Sequence, residues 1–179
     1  NEVNFFRGGG TVINVTKNIQ TTVFASYKPI DATVDRDTIE NSDFDSFGSI
    51  RFDGYHRTTS EIANKNTIHQ SNVGAKLQYK VRDFKLAFNG LYTGFDAPLI
   101  RDEALYRKFL FAGTKLLNGS FDYSWRMRNL TFFGESAISD NGGTANVHGL
   151  LMGLDKSLDV SVVYRNYTPD YQVLNANAF

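Results

Sequence analysis

The side chains best suited to chemistry are few, and their spacing sets what they can do. Three histidines occur, His56, His69 and His148. His56 stands beside Arg57 and Glu61, and with His69 downstream these groups are the types from which a metal or acid–base site is built. No second ligand motif of known spacing accompanies them, so the expectation is structural: Arg57 and Glu61 tie down a long surface loop. His148 alternates with Asn146 on the wetter side of a strand and is expected to line an interior rather than bind metal. Carboxylates gather at Asp31, Asp35, Asp37, Glu40, Asp43 and Asp45. Closely spaced oxygen ligands suit calcium, but a helix–loop–helix calcium site wants a glycine at its sharp turn, and Thr38 to Ser42 supply none. A solvated acidic loop is expected instead. Gly8-Gly9-Gly10 lacks the lysine and the following helix of a phosphate loop, no nucleophile elbow is present, and Ser, His and Asp follow no recognisable order. The expected catalytic, cofactor and metal sites are therefore none, and the chain is not expected to be an enzyme.

The elements that would carry any site are strands. Side chains alternate between apolar and polar with a period of two, which places them on opposite faces of a strand. In Val73 to Val81 the odd positions are apolar and the even ones are Gly74, Lys76, Gln78 and Lys80. Arg82-Asp83 turns the chain, and the return strand sets Phe84, Leu86, Phe88 and Tyr92 against Lys85, Asn89 and Thr93. A long strand from Phe109 to Arg126 carries Phe121, Tyr123 and Trp125 opposite Ser120, Asp122 and Ser124, with Lys115 the one misfit on the apolar side. Leu130 to Ser139, Ala145 to Leu151 and Leu158 to Arg165 continue the pattern, with Val160 and Val162 on one face and Arg165 on the other. Thr11 to Asn18 and Thr21 to Tyr27 form one more hairpin.

Connections alternate in length. Short ones fall at Lys17 to Gln20, Arg82-Asp83, Met127 to Asn129 and Asp155 to Ser157. Longer polar ones fall at Ala32 to Gln70, Asp96 to Lys108, Asp140 to Gly143 and from Thr168 onward. Short turns on one side and long loops on the other is the layout of outer-membrane barrels. Several segments also exceed ten residues, as a tilted strand needs to cross a bilayer core at about 9 to 11 residues. The expected fold is all-β: an antiparallel up-and-down transmembrane β-barrel of about eight strands, a single barrel domain or barrel segment over residues 1–179 with an extracellular loop over 32–70. Phe84, Leu86, Phe88, Tyr92, Phe121, Tyr123, Trp125, Val160 and Val162 are expected to face lipid. Lys76, Gln78, Lys85, Asn89, Asp122, Glu135 and Arg165 are expected to face the lumen. Sequence determines which residues share a face but leaves open which way it points, so a soluble lipocalin-like ligand-binding barrel is the alternative.

Composition narrows the partners. Formal net charge is zero with basic residues scattered singly, so nucleic acid is not an expected partner. Cysteine is absent, which excludes disulfides and thiolate metal sites. No apolar run approaches the roughly 20 residues of a membrane helix. The chain starts at Asn1 without a recognisable signal sequence, so it is expected to be mature, trimmed or only part of a longer polypeptide.

Three stretches resemble poorly characterised outer-membrane barrels of the Bacteroidota, a group often labelled for an accompanying helix-hairpin-helix segment. They are Gly54-Tyr55-His56-Arg57-Thr58 with Ser60 to Asn66; Phe132 to Glu135 with Ser139 to Gly143; and Tyr164 to Tyr167 with Asn175 to Phe179. No helix-hairpin-helix sequence is present. Phe179 resembles the closing aromatic of a last barrel strand, but Asn175 and Asn177 interrupt the apolar face expected there. The resemblance implies a chain in the bacterial outer membrane, contacting lipid and other envelope proteins. Its expected role is a non-enzymatic structural or accessory part of an envelope transport or secretion complex, with a small-solute pore or uptake channel as the alternative.

Overall fold

A computed structural model of the chain describes residues 5–35, 46–51, 54–100 and 109–174. In chain order the elements are β1 (Gly8–Asn14), β2 (Ile19–Ile30), β3 (Ala32–Asp35), β4 (Ser46–Ile50), α1 (Thr59–Ala63), β5 (Ile68–Val81), β6 (Phe84–Leu99), β7 (Gly113–Met127), β8 (Leu130–Ser139), β9 (Thr144–Asp155) and β10 (Leu158–Tyr167). They form one ten-stranded sheet whose main path is β1-β2-β5-β6-β7-β8-β9-β10, an up-and-down meander, with the β3–β4 hairpin joined to β6 by a short parallel contact. The meander follows from the alternation and from tight turns. Arg82-Asp83 and Arg128-Asn129 each reverse the chain in two residues, with Arg82 at φ 48° and Arg128 at φ 51°. Positive φ at this place matches the twist of the flanking strands.

Three expectations are corrected. Eight long strands are present, but β3 and β4 add two more, and the segment 32–70 carries these strands and α1 rather than loop alone. β7 begins at Gly113, not Phe109; Gly113 sits at φ 119°, which only glycine adopts easily, and Phe111 is buried before the strand starts. The sheet is also not closed into a barrel: β1 and β10 remain its two edges. Closure needs hydrogen bonds between first and last strands, and an eight-stranded barrel leaves room for little beyond its own side chains. Here the covered faces also take up non-meander chain, the β3–β4 hairpin and the segment after β10.

Contacts cluster into two compact units. The first comprises Asn1–Gly9, Ala25–Val73 and Tyr92–Leu116; the second comprises Gly10–Phe24, Gly74–Leu91 and Leu117–Phe179. The first unit has an apolar core of Ile30, Ala32, Phe47, Ile68, Phe95, Leu99, Phe111 and Leu116. The Phe95 ring lies edge-on to Phe47 at 5.6 Å and tilted against Phe111 at 6.2 Å, so the β3–β4 hairpin is held by aromatic burial. The polar pair Thr93 and Asn72 is buried with it, joined by a 2.8 Å hydrogen bond.

The second unit inverts the usual arrangement. Strand register aligns Trp125, Phe132, Leu150 and Val162 in one row and Met127, Leu130, Met152 and Val160 in the next, apolar at every position. The opposite parity aligns Asp122, Glu135, Val147 and Arg165. On the apolar parity Leu117 is 53% exposed, Trp125 44% and Val162 59%, with Leu130, Phe132, Leu150, Met152 and Val160 half-buried, and no described segment folds back over it as the segment after β10 does over the polar parity.

Candidate functional site

The polar groups of the second unit converge on the face that chain covers. Lys76 on β5, Asn89 on β6 and Ser120 and Asp122 on β7 belong to the polar parity of their strands, which is why one network unites them. Lys76 Nζ lies 3.2 Å from Asp122 Oδ2, and Asn89 Nδ2 donates to Asp122 Oδ2 and to Ser120 Oγ, each at 3.0 Å. Beside it is a cavity of about 720 Å³ lined by Lys76, Asp122, Glu135, Val147, Tyr167 and Tyr171. After β10 the chain turns back along this face. Asn118 Nδ2 donates to the Gln172 carbonyl at 2.8 Å, and the Gln172 amide donates to Ser139 Oγ at 3.2 Å. Burial raises the Tyr171 phenol above its ordinary pKa, and the neighbouring Glu135 and Tyr167 raise it further.

Of the seven residues expected on the lumen side, Lys76, Asn89 and Asp122 are thus in one hydrogen-bonded group, with Glu135, exposed, directly beside Asp122 on the neighbouring strand. Gln78 and Lys85 are half-buried on the same parity of β5 and β6, and Arg165 is exposed on β10 opposite Val147. Of those expected to meet lipid, Phe88, Phe121, Trp125 and Val162 are exposed, while Phe84, Leu86, Tyr92, Tyr123 and Val160 are half-buried.

His148 is placed differently from its expected position. Register sets it in the row Tyr123, Gly134, His148, Tyr164, on the aromatic parity of β7 and not on that of Asp122. Its ring stacks on Tyr123 with centroids 5.8 Å apart, and Tyr123 Oη lies 3.1 Å from its Nδ1. Gly134 permits this, because a Cβ there would run into the His148 ring and approach Tyr123 Cε1 to 2.9 Å. The next row, Phe121, Ser136, Asn146 and Asn166, is mostly polar, so the apolar zone of β8 to β10 ends there.

In the first unit His56 and His69 do not share a site. His56 Nε2 lies 2.7 Å from Asp31 Oδ2, and Asp31 also accepts from the Asn66 amide at 2.9 Å. His69 Nδ1 lies 3.0 Å from Asp96 Oδ2, and the His69 ring stacks on Tyr27. Thr58 and Glu61 form a capping box for α1: Thr58 Oγ1 accepts from the Glu61 amide, and the Glu61 carboxylate accepts from the Thr58 amide and also from the Arg57 amide. The Arg57 guanidinium lies 4.0 Å above the Tyr55 ring. Among the described residues no group of three His, Cys, Asp or Glu side chains is arranged to hold a metal. Of the carboxylates read as an acidic loop, Asp37, Glu40, Asp43 and Asp45 lie outside the described residues, as does Phe179.

No family model, curated protein or solved structure matches this chain. Its function therefore rests on its own geometry. Two features escaped the sequence reading. One is the return of Tyr171 and Gln172 onto the polar face, a contact far apart in sequence. The other is Lys28, buried on a strand whose alternation gave no sign of it.

Proposed function

We propose that this chain is part of the wall of a β-barrel in the outer membrane of a bacterium of the Bacteroidota type, serving as a non-enzymatic structural or accessory component of an envelope transport or secretion complex. The observation that carries this reading is the pair of all-apolar rows on the open face of the second unit, set against a hydrogen-bonded polar network on its covered face. Contiguous apolar rows on an open face mark an interaction surface on a protein in water; in lipid they are the favoured arrangement. The apolar spans Val73–Val81, Phe84–Tyr92 and Leu117–Met127 have about the 9 to 11 residues that a tilted strand needs. Lys115, the misfit of the alternation, lies beyond the last of them. Tyr123, His148 and Tyr164 form a row at the border between the apolar and polar rows of the open face, where interfacial aromatics are favoured. The unpaired β1 and β10 edges favour further strands or envelope partners over a self-contained barrel. The packed core of the first unit weighs against an open small-solute pore, and the outward apolar parity weighs against a lipocalin-like soluble barrel.

Because the chain has no native cysteine, single cysteines report without background. Cysteines replacing Phe88, Phe121, Trp125 and Val162 in native outer membranes should react with a lipid-soluble thiol reagent and resist a water-soluble one. Those replacing Lys76, Asn89 and Asp122 should resist the lipid-soluble reagent. Water-soluble labelling of the aromatic set would abandon the membrane wall.

A further inference from the structure

Between the chain before β1, the end of β2 and the chain after β4, the first unit encloses a cavity of about 320 Å³. Arg7, Lys28, Arg51 and His56 line it, and among the described residues the one carboxylate lining it is Asp31. Asp31 is already engaged by His56 and the Asn66 amide. Lys28 is only 6% exposed, yet its ammonium meets a carbonyl, Phe5 O at 2.6 Å, and the face of the Phe5 ring at 5.5 Å, with no carboxylate among the described residues. The Arg7 guanidinium lies 5.7 Å from the same ring. Two cations thus crowd one aromatic ring. A buried charge is tolerated when something of opposite sign completes its surroundings, and gathered Lys and Arg donors are the usual cradle for carboxylate or phosphate oxygens.

We infer that this cavity binds an oxyanion, a phosphate or carboxylate group, with Lys28 and Arg7 as its principal charges and Arg51 at its rim. The volume admits a small ligand or the head of a larger one, since a liquid water molecule occupies about 30 Å³. The site is independent of the membrane reading, because none of its residues belongs to the apolar rows, and it names a ligand class where that reading names none.

The test is a calorimetric titration of the purified full chain, in a neutral detergent, with inorganic phosphate and with acetate. Saturable binding of either anion is expected, weakened about tenfold or more by Lys28→Met and by Arg7→Gln and unchanged by Lys76→Met, which does not line the cavity. Arg7 is exposed, so Arg7→Gln remains informative if Lys28→Met fails to fold. Adding phosphatidylglycerol to the micelles separates the sources: competition with phosphate that Arg7→Gln abolishes assigns a lipid headgroup, and its absence assigns a soluble anion. Absence of saturable anion binding, or binding that neither variant weakens, overturns the site. Neither result bears on the cysteine-labelling pattern, so the two proposals fail separately.

Discussion

At the scale of single residues, Asp122 anchors the polar network, accepting from Lys76 and Asn89. Replacing it with alanine removes the acceptor of Lys76 and leaves Asn89 only Ser120, and should cost about 1–2 kcal/mol, the lower part of the range for an unmade charged hydrogen bond because the pair is partly solvated. Chemical denaturation in detergent measures this, and the Asp122→Ala, Lys76→Met double variant should be less destabilised than the sum of the singles. Glu61 gives a pH prediction. The Arg57 amide, first, and then the Thr58 amide and the Arg57 charge hold its carboxyl below the usual range, against some desolvation. A depressed folded pKa means the capping box contributes above the ordinary glutamate value of about 4.3 and is lost as pH falls through the lowered one. Amide exchange at Arg57 and Thr58 should therefore accelerate in that acid window, and Glu61→Gln should remove the pH dependence. A structural role for Arg57 and Glu61 was expected from the sequence, but the cap that Glu61 makes with Thr58 was not read there. The partners of His56 and His69 were not legible either, because Asp31 and Asp96 are each more than twenty residues away from them in the chain.

At the scale of elements, the strands were legible because alternation is a local property, visible wherever one face differs from the other. Their ends were less so. The expected start at Phe109 followed the parity of Phe109 and Phe111, but Phe111 is buried by the core of the first unit before Gly113 redirects the chain into β7. The two-residue turns carry their own prediction. Arg128 at φ 51° pays for a conformation that glycine adopts freely. Arg128→Gly should be neutral or slightly stabilising, and Arg128→Val destabilising by about 1–2 kcal/mol, both read from denaturation midpoints. Gly134 is the opposite case. Its missing side chain lets Tyr123 and His148 meet across β8, so Gly134→Ala should separate them and cost about 1–3 kcal/mol, as other overpacked sites do. Loss of the Tyr123–His148 contact would show as changed His148 ring chemical shifts by NMR. A Gly134→Ala variant with unaltered stability and unaltered His148 ring shifts would contradict the close approach.

At the scale of the whole molecule, the long-range proposals stand on parity and on edges. If β1 and β10 await further strands, a longer native polypeptide or a partner should protect the amides of Val160 to Tyr164 from exchange, whereas the present chain alone should leave the outward-pointing half of them fast. The amino-acid sequence alone determined the all-β class, the meander and the sets of side chains that share a face, because each follows from a period of two and from turns a few residues long. Tertiary structure decided the rest. It turned the apolar parity to the open side, moved His148 to the aromatic row through pairing with β8, buried Lys28 beside Phe5, folded Tyr171 and Gln172 onto the polar face and left the sheet open. Each of these depends on which distant segments meet, and a pattern that repeats every two residues along one strand carries no record of its neighbours.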